Sequence, residues 1–534
     1  MSGMHEHDLA LSTDVLVIGG GMAGAWTATA AAREGASVVL VDKGYCGTSG
    51  VTATAGPGHW WVPPDPPEAR GNAIRSRNAL AHGLADPGWM ERVIALTWET
   101  LPTLARYYDF PTDEQGIVQY RGLRGPEYMR ALRAQITDLG VTILDHSPAL
   151  ELLLHADGSV AGARGLRRQR HGEAWQVRAG ATVLATGGTS FLSHLLGARN
   201  NTGDGYLMGA EVGASLSGLE FTAIYTIAPA HSNMTRSMSY AFATYYDAAG
   251  EELPVPPGPD QTRPLARAML EGQVFCSLHR MPADIRRQLP TISPNVMLPF
   301  ARWGIDPFHD RFPVTLHNDG TIRGTGGLCI ASEDCRTEVP GLFAAGDAAT
   351  RELIAGATSG GGAQNSAWAL SSGRWAGRGA ARLARSAGRR DQGAAYPAGR
   401  AGLRPARGTK PVDLEAARAA VRGEMLPYDK VLFRTEAGLR RSQAVLEEAW
   451  TELRDHAAGE GRELLRARET AALLATARWS VAGALARNES RGLHVREDRP
   501  AADPAQARRQ RVGGLETVWT APDGVAAAVL AEAV

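Results

Sequence analysis

The sequence predicts an α/β protein built from a Rossmann-like dinucleotide-binding domain, an inserted α+β domain and a C-terminal helical domain. Three observations predict it. Residues 14–41 read as strand, glycine-rich turn, helix and strand; residues 181–188 and 340–347 echo that opening; and the chain beyond residue 413 has helical spacing. At 534 residues the chain exceeds the ~250–300 residues at which single cores stop growing, so two or three domains are expected.

The first strand, Asp14-Val15-Leu16-Val17-Ile18, is a nearly continuous apolar run, as in a parallel strand covered on both faces. Gly19-Gly20-Gly21-Met22-Ala23-Gly24 follows as G-x-G-x-x-G, then the helix-forming residues 25–34, closed by Gly35. A second apolar strand, 36–41, ends at Asp42, 23 residues past Gly19. Gly19 permits the tight turn, Gly21 lets the backbone approach a pyrophosphate, and Gly24 lets helix and strand pack closely. The phosphates rest on the free N–H groups and positive end of the helix, and Asp42 is placed to accept hydrogen bonds from a ribose. With strand, helix, second strand and acid in register, the turn reads as a dinucleotide site and not as a merely structural bend.

Residues 181–188 form another apolar strand running into Gly187-Gly188, and residues 340–347 a third ending in Gly346-Asp347. Between about 225 and 330 the pattern becomes irregular and prolines cluster (Pro254, Pro256, Pro257, Pro259), as in an inserted α+β domain. Residues 385–411 are poor in bulky apolar side chains and read as a linker or surface excursion. Helices are expected over Leu414–Met425, Glu436–His456 and 462–487; in the last, Leu473, Ala477, Val481 and Leu485 mark one packed face. The expected division is 1–224 and 331–390 for the dinucleotide-binding domain, 225–330 for the insert, 391–412 for a linker and 413–534 for the helical domain.

Composition narrows the function. Hydrophobic residues make up 44% and charged residues 21%, ordinary for a globular chain and too apolar for wholesale disorder. Lys+Arg and Asp+Glu are both 56, so no basic face is implied and nucleic acid is not an expected partner. Only Lys43, Lys410 and Lys430 are lysines; the excess of arginine, with so much Ala and Gly, reads as coding bias. The cysteines Cys46, Cys276, Cys329 and Cys335 form no C-x-x-C pair, which supports neither an iron–sulfur cluster nor a structural zinc within the chain. His5 and His7 are too few for a metal site and read as part of a disordered tail; no metal is expected. The N-terminus has no basic region leading into an apolar stretch, and no apolar run reaches the ~18 residues of a spanning helix, so a cytoplasmic protein without membrane insertion is expected.

These residues together resemble the flavoprotein subunits of succinate dehydrogenase, fumarate reductase, L-aspartate oxidase and adenylylsulfate reductase. The resemblance runs over nearly the whole chain: the G-x-G-x-x-G unit ending in Val41-Asp42-Lys43; VLATGG at 183–188; Asn201-Thr202-Gly203-Asp204-Gly205 with Leu219-Glu220-Phe221; Gly304-Ile305-Asp306-Pro307 with Phe312-Pro313-Val314; GLFAAGD at 341–347; and Asn488-Glu489-Ser490-Arg491-Gly492-Leu493-His494 with Arg496-Glu497-Asp498. It implies FAD as cofactor, with the insert as a capping domain. Gly19, Gly21, Gly24, Asp42, Lys43, Thr186, Gly187, Asp204, Gly346 and Asp347 would hold the cofactor. Asn365 and Ser366 would lie near the flavin ring, and Thr48, Ser49 and Gly50 along its dimethylbenzene side. Gly50 stands where the respiratory enzymes carry the histidine that binds flavin covalently, so the resemblance implies non-covalent FAD here.

The pattern departs at the substrate. Tyr225 stands for one substrate histidine of the dicarboxylate enzymes, Ile322-Arg323 falls where another is expected, and Thr358-Ser359 replaces an arginine. A dicarboxylate left without these donors in a dry pocket is strongly disfavoured, so succinate, fumarate and aspartate are not the expected substrates. The expected activity is hydride transfer between flavin N5 and another small organic molecule, a C–C or C–N dehydrogenation or reduction. Arg263 is the first choice for the accompanying proton, against a reading as a surface arginine. His317 is the second, against a solvated loop histidine. Tyr225 and Tyr240 read either as hydrogen-bond donors to substrate or as core tyrosines, and His59-Trp60-Trp61 as an aromatic wall or as core anchors. The electron acceptor is open between oxygen, a quinone and an iron–sulfur partner. The alternatives are an adenylylsulfate-reductase-like large subunit and a catalytically decayed FAD-binding protein.

Overall fold

The computed structural model describes residues 9–524 except 171, 236, 257–260, 293 and 389–392; His5, His7, Pro257 and Pro259 lie outside the described residues. The central sheet runs, edge to edge, Tyr396–Pro397, Ala149–Leu154, Val160–Arg167, Glu173–Leu184, Leu9–Ile18, Val38–Val41, Thr142–Leu144. The long strand Glu173–Leu184 changes partner along its length. Its first half pairs antiparallel with Val160–Arg167, and its last residues pair parallel with Leu342–Ala344.

The first strand is longer than its apolar run suggested. Leu9–Ile18 pairs with Glu173–Leu184 from Leu9 onward, half-exposed at first and buried from Val15. Its early alternation suits one solvated face, its later continuity a strand covered on both sides. Helix Met22–Arg33 follows, and Ala363–Ala387 lies along it. Gly373 and Gly377 make that contact close: a Cβ there would come within 2.5 Å of the Ala23 carbonyl and 2.3 Å of the Thr27 carbonyl.

Residues after Tyr225 form a second, antiparallel sheet in the order Tyr225–Pro229, Phe312–Asn318, Val274–Ser277, Thr244–Tyr246, with helices Thr262–Glu271, Ala283–Ile292 and Pro294–Trp303. Phe312–Asn318 alternates buried and half-buried residues, the signature of a sheet packed on one face. Its core is completed from far along the chain by Val431, Leu432 and Phe433.

Helices Leu414–Met425, Glu436–His456 and Gly461–Ala486 follow. Asp413 and Thr435 cap the first two through their side chains. The third is buried on nearly every side, so the row Leu473, Ala477, Val481 is one packed face among several. Gln510–Gly513 and Trp519–Pro522 form a hairpin that pairs with Leu216–Ser217, so the C-terminal region is not purely helical. The described residues 393–412 are no free linker either. Tyr396–Pro397 joins the sheet edge, and the buried Glu151 accepts from Gly399 N and pairs with Arg404. Among the described residues no helix is long and apolar enough to cross a membrane.

Candidate functional site

The C-terminal ends of Leu9–Ile18 and Val38–Val41, with the turn after Leu342–Ala344, open into a cleft of about 550 Å³, where doubly wound sheets place their ligands. All the expected cofactor residues except Gly24 line it. The glycines divide the work by what surrounds them. A Cβ on Gly24 would lie 1.8 Å from the Gly19 carbonyl oxygen, so this glycine joins helix to strand, whereas a Cβ on Gly21 would meet no atom within 4 Å. That opening is the cradle a pyrophosphate requires, and the turn fits FAD.

Asp42 is buried at the strand end. Its Oδ2 accepts from Gly20 N at 2.6 Å, and its Oδ1 accepts from Gly44 N at 2.7 Å and from the Ser49 hydroxyl. Ser49 thereby belongs to the Asp42 side of the cleft. Lys43 Nζ donates to Thr202 at 2.9 Å, Asp204 at 2.8 Å and Glu469 at 3.0 Å. Burial works against its charge, yet the two carboxylates outweigh burial and hold its pKa above the ordinary lysine value. Thr186 and Gly187 form the facing wall, and Gly187 has φ +74°. Gly50, φ +78°, adopts a left-handed conformation that a histidine would strain.

Under the cleft Asp347 pairs with Arg351, which is fully buried. Arg351 Nη1 also donates to Asn365 Oδ1 at 2.7 Å, and its Nη2 donates to the carbonyls of Thr321 and Gly324. Burial raises the Asp347 carboxyl above its usual value, against the pull of Arg351 and Asn365. Ser366 lies beside Asn365 in the first turn of the long helix. Sequence reasoning missed Arg351, although its spacing four residues past Asp347 was visible.

The four side chains expected at the chemistry are not brought together, and none is among the cleft-lining residues. Tyr225 is buried in the inserted sheet, its hydroxyl donating to the Leu426 carbonyl at 2.9 Å; burial raises its pKa. Tyr240 lies in a 3-10 turn packed into the core of the same insert, its pKa likewise raised by burial. Arg263 Nη2 donates to the Leu432 carbonyl at 2.9 Å and its guanidinium stacks on Phe433, tying the insert to the C-terminal region. His317 Nε2 lies 2.8 Å from the Ser232 carbonyl, in a separate cavity of about 1170 Å³ with His194, and burial lowers its pKa. Tyr225 and Arg263 are engaged in this way because segment 426–433 completes the inserted core, a pairing across some two hundred residues that spacing does not reveal. Trp61 stacks on Trp98 at 4.1 Å and Trp60 is buried, so both are core anchors, and His59 is buried with its pKa lowered to about 3. The Cys46 thiol, pushed up to about 12 by burial, is no thiolate.

Toward the insert the cleft is lined by Val51, Thr52, Thr54, Leu195, Thr235, Ile322 and Arg323. Arg323, noted in the sequence only for the histidine missing beside it, is the one cation of this half among the described residues.

Known families and proteins match in the same order. Residues 14–125 match the FAD dependent oxidoreductase family, 113–240 the FAD binding domain family, and 423–516 the fumarate reductase flavoprotein C-terminal family. L-aspartate oxidase of Halobacterium salinarum is 32% identical over 41% of this chain and 46% of its own length. L-aspartate oxidase of Mycobacterium tuberculosis is 28% identical over 97% of both chains. Among solved structures, E. coli quinol fumarate reductase matches with TM-score 0.78 at 20% identity, over 96% of this chain and 97% of that one. Adenylylsulfate reductase of Archaeoglobus fulgidus matches with TM-score 0.72 at 19% identity, over 98% and 97%. The chain belongs to the flavoprotein family of succinate dehydrogenase, fumarate reductase and L-aspartate oxidase, and is an FAD-dependent oxidoreductase.

Proposed function

We propose that this oxidoreductase acts on a small organic substrate other than succinate, fumarate or L-aspartate, making or removing a C–C or C–N double bond. Bound FAD supplies the two-electron chemistry by accepting or giving a hydride. The chain's own part is binding, orientation and exclusion of water. The turn at Gly21 receives the pyrophosphate, and Asp42 and Lys43 frame that side of the cleft. The open left-handed glycine at position 50 supports non-covalent attachment. Val51, Leu195 and Ile322 give the substrate half an apolar patch, beside three threonines and Arg323, that helps keep water from the reacting atoms.

One observation carries the reading: where dicarboxylate enzymes present several cationic or imidazole donors, this cleft has Arg323 alone on its insert side among the described residues, and Tyr225 faces Leu426. The four cysteines are buried and unpaired, so an iron–sulfur acceptor would belong to a partner chain. The full-length likeness to L-aspartate oxidases favours a second reading, aspartate oxidation, and one experiment separates the two. The holoprotein is mixed anaerobically with L-aspartate or succinate, and its photoreduced form with fumarate, while flavin absorbance is followed. No change within many minutes is expected. Rapid bleaching by L-aspartate or succinate, or rapid reoxidation by fumarate, would overturn the proposal.

A further inference from the structure

Two cationic side chains line the cleft among the described residues, Lys43 and Arg323. Lys43 is held by two carboxylates. Arg323 has one carboxylate partner among the described residues, Asp319, and its side chain remains 35% exposed. It ends the short helix Gly320–Arg323, and Gly361 leaves room for its stem, since a Cβ there would sit 3.0 Å from Arg323 Cγ. Its outer end is fixed from one side. Nη1 donates to Thr226 Oγ1 at 2.7 Å and lies 3.4 Å from Asp319 Oδ2, while the Thr226 hydroxyl donates to that same oxygen at 2.6 Å. Asp319 is fully buried, with burial raising its pKa against the pull of Arg323 and Thr226.

The guanidinium is therefore oriented before any ligand arrives. Among the described residues its interactions run through Nη1, leaving Nη2 and Nε, two parallel donors of a planar fork. That edge matches the two oxygens of one carboxylate. The same cleft is lined by Val51, Leu195 and Ile322, with Thr52, Thr54 and Thr235. A second carboxylate on the same ligand would find no second free cation among the described residues and would there be desolvated without compensation.

We propose that Arg323 is a substrate-binding residue and that the substrate is a monocarboxylate whose remainder is apolar, held by its carboxylate on the free edge of this guanidinium. Thr226 and Asp319 are positioning residues that fix the fork. The inference rests on the proposed function above, since it names the substrate class for the same cleft.

The test is equilibrium binding to the holoprotein, read as perturbation of the flavin absorption band at constant ionic strength, with acetate, benzoate and succinate as probes. Benzoate should perturb the band saturably and bind more tightly than succinate. Arg323→Gln should weaken benzoate by ~10-fold or more, as expected for a charge-assisted hydrogen-bonded pair. Arg323→Lys, which keeps charge but loses the fork, should fall between. Thr226→Val should weaken benzoate a few-fold with Arg323 still present. FAD content of each variant is measured in parallel. Unchanged benzoate affinity in Arg323→Gln overturns the proposal, as does succinate binding more tightly than benzoate. Loss of FAD from both Arg323 variants, with no benzoate effect on wild type, also overturns it and assigns the side chain to the cofactor. Turnover of aspartate or succinate would sink the proposed function by a different readout, redox bleaching, and leave the binding comparison to be judged by itself.

Discussion

Arg351 and Asp347, four residues apart, form an ion pair beneath the cleft, and the same guanidinium gathers the carbonyls of Thr321 and Gly324 just past the inserted strand Phe312–Asn318. One side chain thus joins the chain's return from the insert to the turn that bears Asp347. Arg351→Leu should leave Asp347 buried without its counter-ion and the two carbonyls without a donor. Loss of one partner of such a pair costs about 3–5 kcal/mol, so a clearly lower urea midpoint and weakened flavin retention are expected. An unchanged midpoint would contradict the role.

Gly21 and Gly24 should separate binding from folding. Gly21→Val adds atoms only to the open cradle, so thermal unfolding of the apoprotein should be near that of wild type while the purified protein is colourless. Gly24→Ala drives a methyl into the Gly19 carbonyl and should damage expression or stability itself. Acid-precipitated wild type should release all its flavin to the supernatant; flavin left on the pellet would refute non-covalent attachment.

Glu352 should impose a pH dependence on stability. It is fully buried, neither carboxyl oxygen has a hydrogen-bond partner among the described residues, and Glu220 stands nearby. Burial first, then the Glu220 charge, raises its pKa above the usual carboxyl value. The folded protein therefore holds a proton that the unfolded chain releases near the ordinary value of about 4.3. Stability should fall as pH rises above that value, until the folded-state group also ionises. Glu352→Gln should flatten the slope and raise the melting temperature at neutral pH. A wild-type curve that rises with pH over this window, and a variant that follows it, would be the opposite result.

Arg263→Lys should alter the contact with Leu432 and Phe433 more than turnover. The lysine cannot reproduce the stacked guanidinium, so a modest loss of stability is expected, with flavin reduction by the true substrate within a few-fold of wild type. A loss of ~10²-fold or more at full FAD content would return Arg263 to the proton-transfer role.

The cofactor half of the site was legible because its signals are local. The turn at 19–24, Asp42 and the strand-to-Gly-Asp segment lie within a few residues of one another, and backbone spacing dictates what they do. Helices Leu414–Met425 and Glu436–His456 were equally legible from spacing. The substrate half was not. Tyr225, Arg263 and His317 look chemical in isolation, and only the arrival of residues 426–433 makes the first two structural. Arg323 went unchosen because one arginine among so many carries no mark until Thr226 and Asp319 fix its orientation.

The short pairing of Tyr396–Pro397 with Leu153 and Leu154 bears on association between molecules. A wide sheet invites another copy to add a strand wherever a long edge stays open. Here one border ends in the three-residue strand Thr142–Leu144, too brief to template much, and the other is closed by a segment whose proline has no N–H to offer a newcomer. Both borders of the sheet thus present little purchase for an intruding strand, and the protection at one of them comes from a stretch whose composition gave no hint of it.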